Sequence, residues 1–290
     1  MPSARTIIEL LKPVTWFPPM WAFLCGAISS GAALGDNIAL VVAGLVLAGP
    51  LLCGTSQAVN DWFDRHVDAI NEPGRPIPSG RIPGRWGFYI SFIWTGLSLA
   101  FASFLGVWVL AASALGLLLS WFYSAPPLRL KQSGWSGPAV VGLAYEGLSW
   151  FTGAALMAGG LPAPETIVLA FIYSVGAHGI MTLNDFKAIE GDKRCGVNSL
   201  PVLLGVRNAA LTACGTMIVP QLLVIYLLVD WQRPYHALGV AAVLVAQALL
   251  MVKLLGDPRR LAPWYNATGT TLYVSGMMIS AFAVRTLGVA

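Results

Sequence analysis

The stretch IALVVAGLVLAGPLLCGTSQAVNDWFDRHVD, residues 38–68, decides the fold class. Residues 38–60 are almost entirely apolar, and a helix that crosses a bilayer takes about 20 such residues. Asn60, Asp61, Asp64 and Asp68 close the run. Spacings of three and four put the three aspartates on one helical face. Like charges so placed repel, so the arrangement is costly unless a cation sits among them.

Working outward, eight more apolar segments appear, at roughly 14–34, 87–106, 107–123, 138–158, 165–183, 208–228, 235–255 and 267–287. The chain is 57% hydrophobic and only 10% charged, with a mean hydropathy of +0.71. That balance excludes a soluble domain and predicts an all-α, polytopic membrane protein in contact with the lipid bilayer. Pro18 and Pro19 predict an irregular or kinked start to the first span. No signal-peptide pattern precedes it, so the N-terminus is expected to be retained.

With nine spans, all but Arg233 and Arg285 of the 17 lysines and arginines fall on one side. Positive residues mark the cytoplasmic side. The net charge of +4 therefore reads as topology, with no nucleic acid implied. The basic face also suits anionic lipid or phosphate. Cys25, Cys53, Cys195 and Cys214 form no C-x-x-C pair and read as small apolar residues.

The longest loops, 61–86 and 184–207, lie on the basic side, where function is expected. Both follow an apolar span and open with Asn-Asp. Four spans separate them, which suggests two four-helix repeats, about 14–137 and 138–260, plus a ninth helix. Helices two and six are then expected to face each other across a central cavity, as repeats do in transporter folds.

The first polar group, Asn60, Asp61, Asp64 and Asp68, offers hard oxygen ligands suited to Mg²⁺ shared with substrate phosphate. Arg65 follows directly. Residues 70–81 (INEPGRPIPSGR) cannot be helical, because prolines and glycines interrupt them throughout. This loop is expected to carry Arg75 and Arg81 back to the acidic face, where guanidinium groups bind phosphate. The second group, Asn184, Asp185, Lys187, Glu190 and Asp192, mixes acids with a cation and fits a second Mg²⁺ with phosphate contacts. Tyr123 opens the loop Tyr123–Lys131, whose Arg129 and Lys131 add positive charge. Glu146 and His178 fall inside spans, where ionisable groups are expensive. Glu146 reads as a base, a holder of a polar acceptor group or a hydrogen-bonded core residue. His178 reads as a contact to an acceptor, an axial ligand to a metal ion or a core residue. Trp16, Phe17, Trp21, Trp62, Trp121 and Phe122 sit near span ends as interface anchors or cavity lining.

N-D-x-x-D-x-x-x-D after the second span and Y-S-x-P-P-x-R-x-K after the fourth resemble the UbiA superfamily of membrane prenyltransferases. TWFPPMWAF (15–23), INEPGRPIPSG (70–80), LKQSGW (130–135) and LNDFKAIEGD (183–192) narrow the resemblance to the chlorophyll and bacteriochlorophyll synthases. YEGLSWFTGAA (145–155) is similar to the bacteriochlorophyll branch.

The resemblance implies one prenyltransferase domain of nine helices around a cavity, with a cytoplasmic cap. It implies Mg²⁺, a geranylgeranyl or phytyl diphosphate, and esterification of the bacteriochlorophyllide a propionate. By the same resemblance Asn60, Asp61, Asp64 and Asp68 form the first metal motif, and Asp185 and Asp192 belong to the second, with Glu190 compensating. Asp61, Asp64, Arg75 and Lys187 are the expected catalytic residues. Substrate contacts are expected from Asn60, Arg65, Arg75, Arg81, Tyr123, Arg129, Lys131, Glu146, His178 and Asn184. The implied location is the bacterial inner, intracytoplasmic photosynthetic membrane, with the site facing the cytoplasm and other pigment-synthesis or assembly proteins as possible partners. Where many members carry D-x-x-x-D in the second motif, this chain has Ala188 four residues before Asp192. The alternatives are a chlorophyll synthase, a sister enzyme acting on a quinone precursor or haem, and an ion-coupled transporter. Acids clustered at one membrane face argue against transport, whose sites lie near the midplane.

Overall fold

The computed structural model describes residues 1–287. Among them the chain is helical, and the one extended contact is an isolated parallel bridge between Ser133 and Asn198. A short surface helix, α1 (Ala4–Leu10), is followed by α2 (Phe17–Ser29). Seven helices are long and apolar enough to cross a membrane. They are α3 (Gly35–Asn71), α4 (Trp86–Ser103), α5 (Val107–Ser124), α7 (Pro164–Lys187), α9 (Leu200–Asp230), α10 (Pro234–Gly256) and α11 (Pro258–Val284). The last turn of α7 is a 3₁₀ helix, Asp185–Lys187, and a short α8 (Ile189–Cys195) follows.

All nine expected segments are helical, but two are built differently from a plain span. α2 has only 13 residues. It starts irregularly, after a 3₁₀ turn at Pro13–Thr15. Pro18 and Pro19 fall in its first turn, where a missing N–H costs nothing. α6, residues 136–158, is interrupted: helical at Ser136–Gly142, widened to a π-helix at Leu143–Leu148, helical again at Ser149–Ala158. α3 also widens to π over Leu47–Cys53, around Pro50, which cannot donate to the helical ladder.

The chain folds as two compact units. The first comprises residues 1–27, 32–129 and 148–161, and the second 28–31, 130–147 and the chain from Pro162 onward. In the first, α2 crosses the end of α6 backbone to backbone. A Cβ at Gly26 would overlap the Trp150 carbonyl, and one at Gly153 would overlap the Phe23 carbonyl. Small residues at such crossings let van der Waals packing act where lipid supplies no hydrophobic drive. At the basic end, Leu10, Leu11, Ala58, Ile82 and Ile90 form a separate apolar cluster. It ties α1 and the 72–85 loop to α3. Burying a side chain such as Leu10 or Ile82 stabilises by about 1.5–3 kcal/mol.

The second unit holds a buried polar belt. Tyr273 Oη donates to the Tyr173 carbonyl at 2.6 Å, and Tyr173 Oη and Ser280 Oγ lie 2.8 Å apart. Gln221 Nε2 donates to Gln247 Oε1 at 2.7 Å, and Gln247 Nε2 to the Gly269 carbonyl at 3.0 Å. Side-chain hydrogen bonds of this kind join helices in lipid. Two basic-side loops are also joined: Gly134 N donates to Asn198 O at 2.7 Å, and Asn198 N to Gln132 O at 2.9 Å. α9 is broken near its start at Gly205, whose φ of +77° is open to glycine.

Candidate active site

In the first unit, α3 continues past its apolar part and presents its aspartates among cations. Asp61 is 1% exposed. Its Oδ1 accepts from Lys12 Nζ at 2.6 Å and from Arg75 Nη1 at 3.3 Å. Arg75 Nη1 also donates to Asp68 Oδ2 at 2.8 Å, and Arg75 Nε donates to Glu72 Oε2 at 2.5 Å. One guanidinium thus spans two turns of the helix and serves three carboxylates. Asp61 and Asp68, seven residues apart, share a face for that purpose. Asp64 pairs instead with Arg129 Nη2 at 3.5 Å. Asn60 Nδ2 reaches Ser124 Oγ at 3.4 Å.

The loop at 72–85 is non-helical, as its prolines and glycines dictate. It delivers Arg75 to the acidic face and turns Arg81 elsewhere. Arg81 grips Glu9 of α1 through both Nη1 (2.5 Å) and Nη2 (2.7 Å). The Arg81 guanidinium holds the Glu9 carboxyl below its usual range. Arg65 folds onto its own helix, donating to the Trp62 carbonyl at 2.7 Å and lying 4.0 Å from the centre of the Trp62 ring.

Lys12 is a member of this group that sequence reasoning used only for topology. Its signal lay in its place, directly before the Pro13–Thr15 turn and the TWFPPMWAF motif. Lys12 and Arg129 also have positive φ, 48° and 37°. Such values are uncommon for non-glycine residues and carry strain. Both strained cations reach carboxylates of α3.

In the second unit, Asn184 Oδ1 accepts from Asn266 Nδ2 of α11 at 2.7 Å. Asp192 Oδ2 accepts from Ser199 Oγ at 2.6 Å. Burial raises the Asp192 pKa, and the Ser199 hydrogen bond works against that rise. Asp192 acts on Asp185 as a like charge. Glu190 is exposed and pairs with Arg259 at 3.3 Å, and Lys187 is exposed. Of the expected second set, Asp185 and Asp192 are therefore the acids held inward. Lys131 belongs to the same unit and is partly buried, while Tyr123, partly buried, closes α5 in the first unit.

Glu146 lies in the π-helical part of α6, 6% exposed, and its Oε2 has no hydrogen-bond partner. His178 is 8% exposed and stands beside the indole of Trp135, with ring centres 5.7 Å apart.

Among the described residues, no three His, Cys, Asp or Glu side chains are gathered as a metal cluster. The first group nonetheless suits a hard dication. Its donors are carboxylate and amide oxygens. Asp61 Oδ2 is buried without a hydrogen-bond partner, and a buried acceptor left unpaired is costly. Lys12 and Arg75 supply the charge that a polyanionic ligand needs.

Comparison with known proteins identifies a family and a fold. The model of the UbiA prenyltransferase family matches residues 12–279. The 33 kDa chain of bacteriochlorophyll synthase from Cereibacter sphaeroides is 57% identical over 289 residues, 100% of this chain and 96% of that one. Chloroplastic chlorophyll synthase from Arabidopsis thaliana is 39% identical over 288 residues, 95% of this chain and 73% of that one. A UbiA homologue from Archaeoglobus fulgidus, solved bound to DMAPP and Mg²⁺, matches with a TM-score of 0.77 at 20% identity. That match covers 97% of this chain and 99% of the other, and speaks for the fold.

Proposed function

The chain belongs to the UbiA prenyltransferase family, and from that premise we propose that it esterifies the propionate of bacteriochlorophyllide a with a geranylgeranyl or phytyl group. The donor is the prenyl diphosphate, and diphosphate is released. The observation that carries this choice is the 57% identity to a bacteriochlorophyll synthase along the whole chain, against 39% to a chlorophyll synthase. The protein is an integral membrane enzyme. Its proposed setting is the inner, intracytoplasmic photosynthetic membrane, with the acidic ends of α3 and α7 on the cytoplasmic side.

Asn60, Asp61, Asp64 and Asp68 are the proposed Mg²⁺ ligands, with Asp185 and Asp192 proposed for a second ion. When bound, Mg²⁺ neutralises diphosphate charge and stabilises the leaving group. Lys12, Arg75 and Arg129 already face Asp61, Asp64 and Asp68 and are placed to transfer hydrogen bonds to phosphate oxygens. Arg75 offers a planar fork of donors, so it can keep a carboxylate and take a phosphate at once. As the allylic C–O bond breaks, these fixed cations stabilise the charge that develops on the bridging oxygen. The apolar helices hold the prenyl tail and exclude water that would quench the allylic cation. The propionate attacks the allylic carbon and forms the ester. A carboxylate is already ionised at neutral pH, so the step needs no strong general base.

The test is prenyl transfer measured against Mg²⁺ concentration for the wild type, Asp61→Asn and Asp64→Ala. The proposal expects loss of turnover or a large rise in the Mg²⁺ required. Full activity of Asp64→Ala at the same Mg²⁺ would remove the metal role of the first motif.

A further inference from the structure

The second unit carries a groove that the proposed chemistry does not use. It has a volume of about 310 Å³ and lies where the start of α6 meets α7 and α9. Apolar groups form most of its wall, including Ala139, Leu143 and Val175. Its rim is exposed: Phe171 is 62% exposed, Trp135 52% and Val175 46%. The polar members are Ser174, Thr216 and His178.

His178 is the unusual member. It is more than nine-tenths buried; the Trp135 backbone hydrogen-bonds to the ring, and Nε2 has no hydrogen-bond partner. The other ring nitrogen points to one tautomer. Thr182 Oγ1 donates its single proton to the His178 carbonyl at 2.9 Å. It can then only accept from Nδ1, 3.4 Å away. A hydroxyl has one proton to give, and with that proton on the carbonyl the pairing assigns the ring hydrogen to Nδ1 and the lone pair to Nε2. A neutral imidazole whose second nitrogen is anchored in this way is the arrangement found in metal-ligating histidines.

A buried Lewis base in an apolar groove beside an indole selects a flat, apolar ligand with an open metal coordination position. We infer that this groove binds the magnesium-bearing macrocycle of the acceptor, with His178 Nε2 as axial ligand to its magnesium and Trp135 against the ring. This assignment rests on the proposed reaction, whose acceptor is such a macrocycle. The groove volume is at the lower end for ligand sites, so it seats part of the ring while the rest lies beyond the exposed rim. His178 stands six residues before Asn184, about 9 Å along the helix axis from the acidic end of α7. A ring seated there leaves the acidic end of α7 itself free.

The test uses the full-length protein in detergent micelles with two probes, bacteriochlorophyllide a and the same macrocycle without its magnesium. Wild type is expected to bind the magnesium form at least about tenfold tighter, a difference worth one factor of ten in Kd, and to shift its absorption as the metal gains a ligand. His178→Phe abolishes the preference and the shift, and free imidazole added to His178→Gly restores both. An equal preference in His178→Phe, or none in the wild type, overturns the assignment. If the His178 variants fail to fold, Val175→Trp at the exposed rim decides: it fills the groove, so binding of both probes drops, and unchanged binding overturns the assignment. The two proposals separate cleanly. Metal-dependent binding through His178 without esterification refutes the reaction alone. Esterification with a metal preference indifferent to His178 refutes this site alone.

Discussion

Lys12 places its Nζ 2.6 Å from Oδ1 of Asp61, across 49 positions of sequence. The lysine is 22% exposed and the aspartate 1%. A buried carboxylate needs a partner, and removing one leaves charge that the interior does not solvate. Lys12→Met is therefore expected to destabilise the protein by about 1–3 kcal/mol, moderated because Arg75 remains beside the same oxygen. The same variant raises the KM for prenyl diphosphate. Thermal unfolding and substrate titration in micelles check both, and an unchanged KM would confine Lys12 to a structural role.

Arg75 joins Glu72, Asp61 and Asp68 through two of its nitrogens. A lysine is a single point charge and cannot span that set. Arg75→Lys is expected to lower kcat/KM by about tenfold or more, a loss of at least about 1.4 kcal/mol of transition-state stabilisation. Retention of charge without retention of activity is the outcome to look for; near-wild-type kinetics would show that charge alone suffices.

The Glu9–Arg81 pair closes α1 over the 72–85 loop, and it is a pH-sensitive contact. Arg81 lowers the Glu9 pKa below 4.5. A carboxyl with a depressed folded-state pKa contributes stability above its unfolded value and loses it as pH falls through the folded value. Limited proteolysis of the loop should therefore accelerate below about pH 4.5 in the wild type. In Glu9→Gln it should already be fast at neutral pH and change less on acidification. Identical profiles for the two proteins would show that the pair does not hold the loop. Both groups are at the surface, so added salt should weaken the effect.

Gly26 and Gly153 let α2 meet the end of α6 without side chains between them. The atoms a new Cβ would strike are backbone, which cannot swing aside. Gly153→Ala is expected to cost about 1–3 kcal/mol, the range for overpacking a fitted interior. A Tm equal to the wild type would mean the helices part without penalty.

Much of this was legible in the sequence, for particular reasons. The apolar runs located nine of the helical segments among the described residues, because bilayer length and hydropathy leave few alternatives; the short α1 and α8 are not apolar runs and went unmarked. Prolines and glycines at 73–80 announced a loop, since each forbids a regular ladder. The aspartates at 61 and 68 did share a face, two helical turns apart, and cations did gather on it. The partners themselves were hidden. Nothing local says that Lys12 reaches Asp61, that Arg81 turns to Glu9, or that Arg65 folds onto Trp62. Those pairings depend on where the chain returns in space. The π-helical stretches at 47–53 and 143–148 escaped as well, because apolar periodicity reads the same through a widened turn. The orphan nitrogen of His178 required a tautomer, and so required Thr182 in place.

The most direct measurement offers membranes containing this protein Mg²⁺, geranylgeranyl diphosphate and an equal mixture of bacteriochlorophyllide a and chlorophyllide a, then separates the esterified pigments. The expected result is preferential esterification of bacteriochlorophyllide a, abolished by chelation and restored by Mg²⁺. Esterification of neither pigment, or of chlorophyllide a alone, would contradict the proposed function.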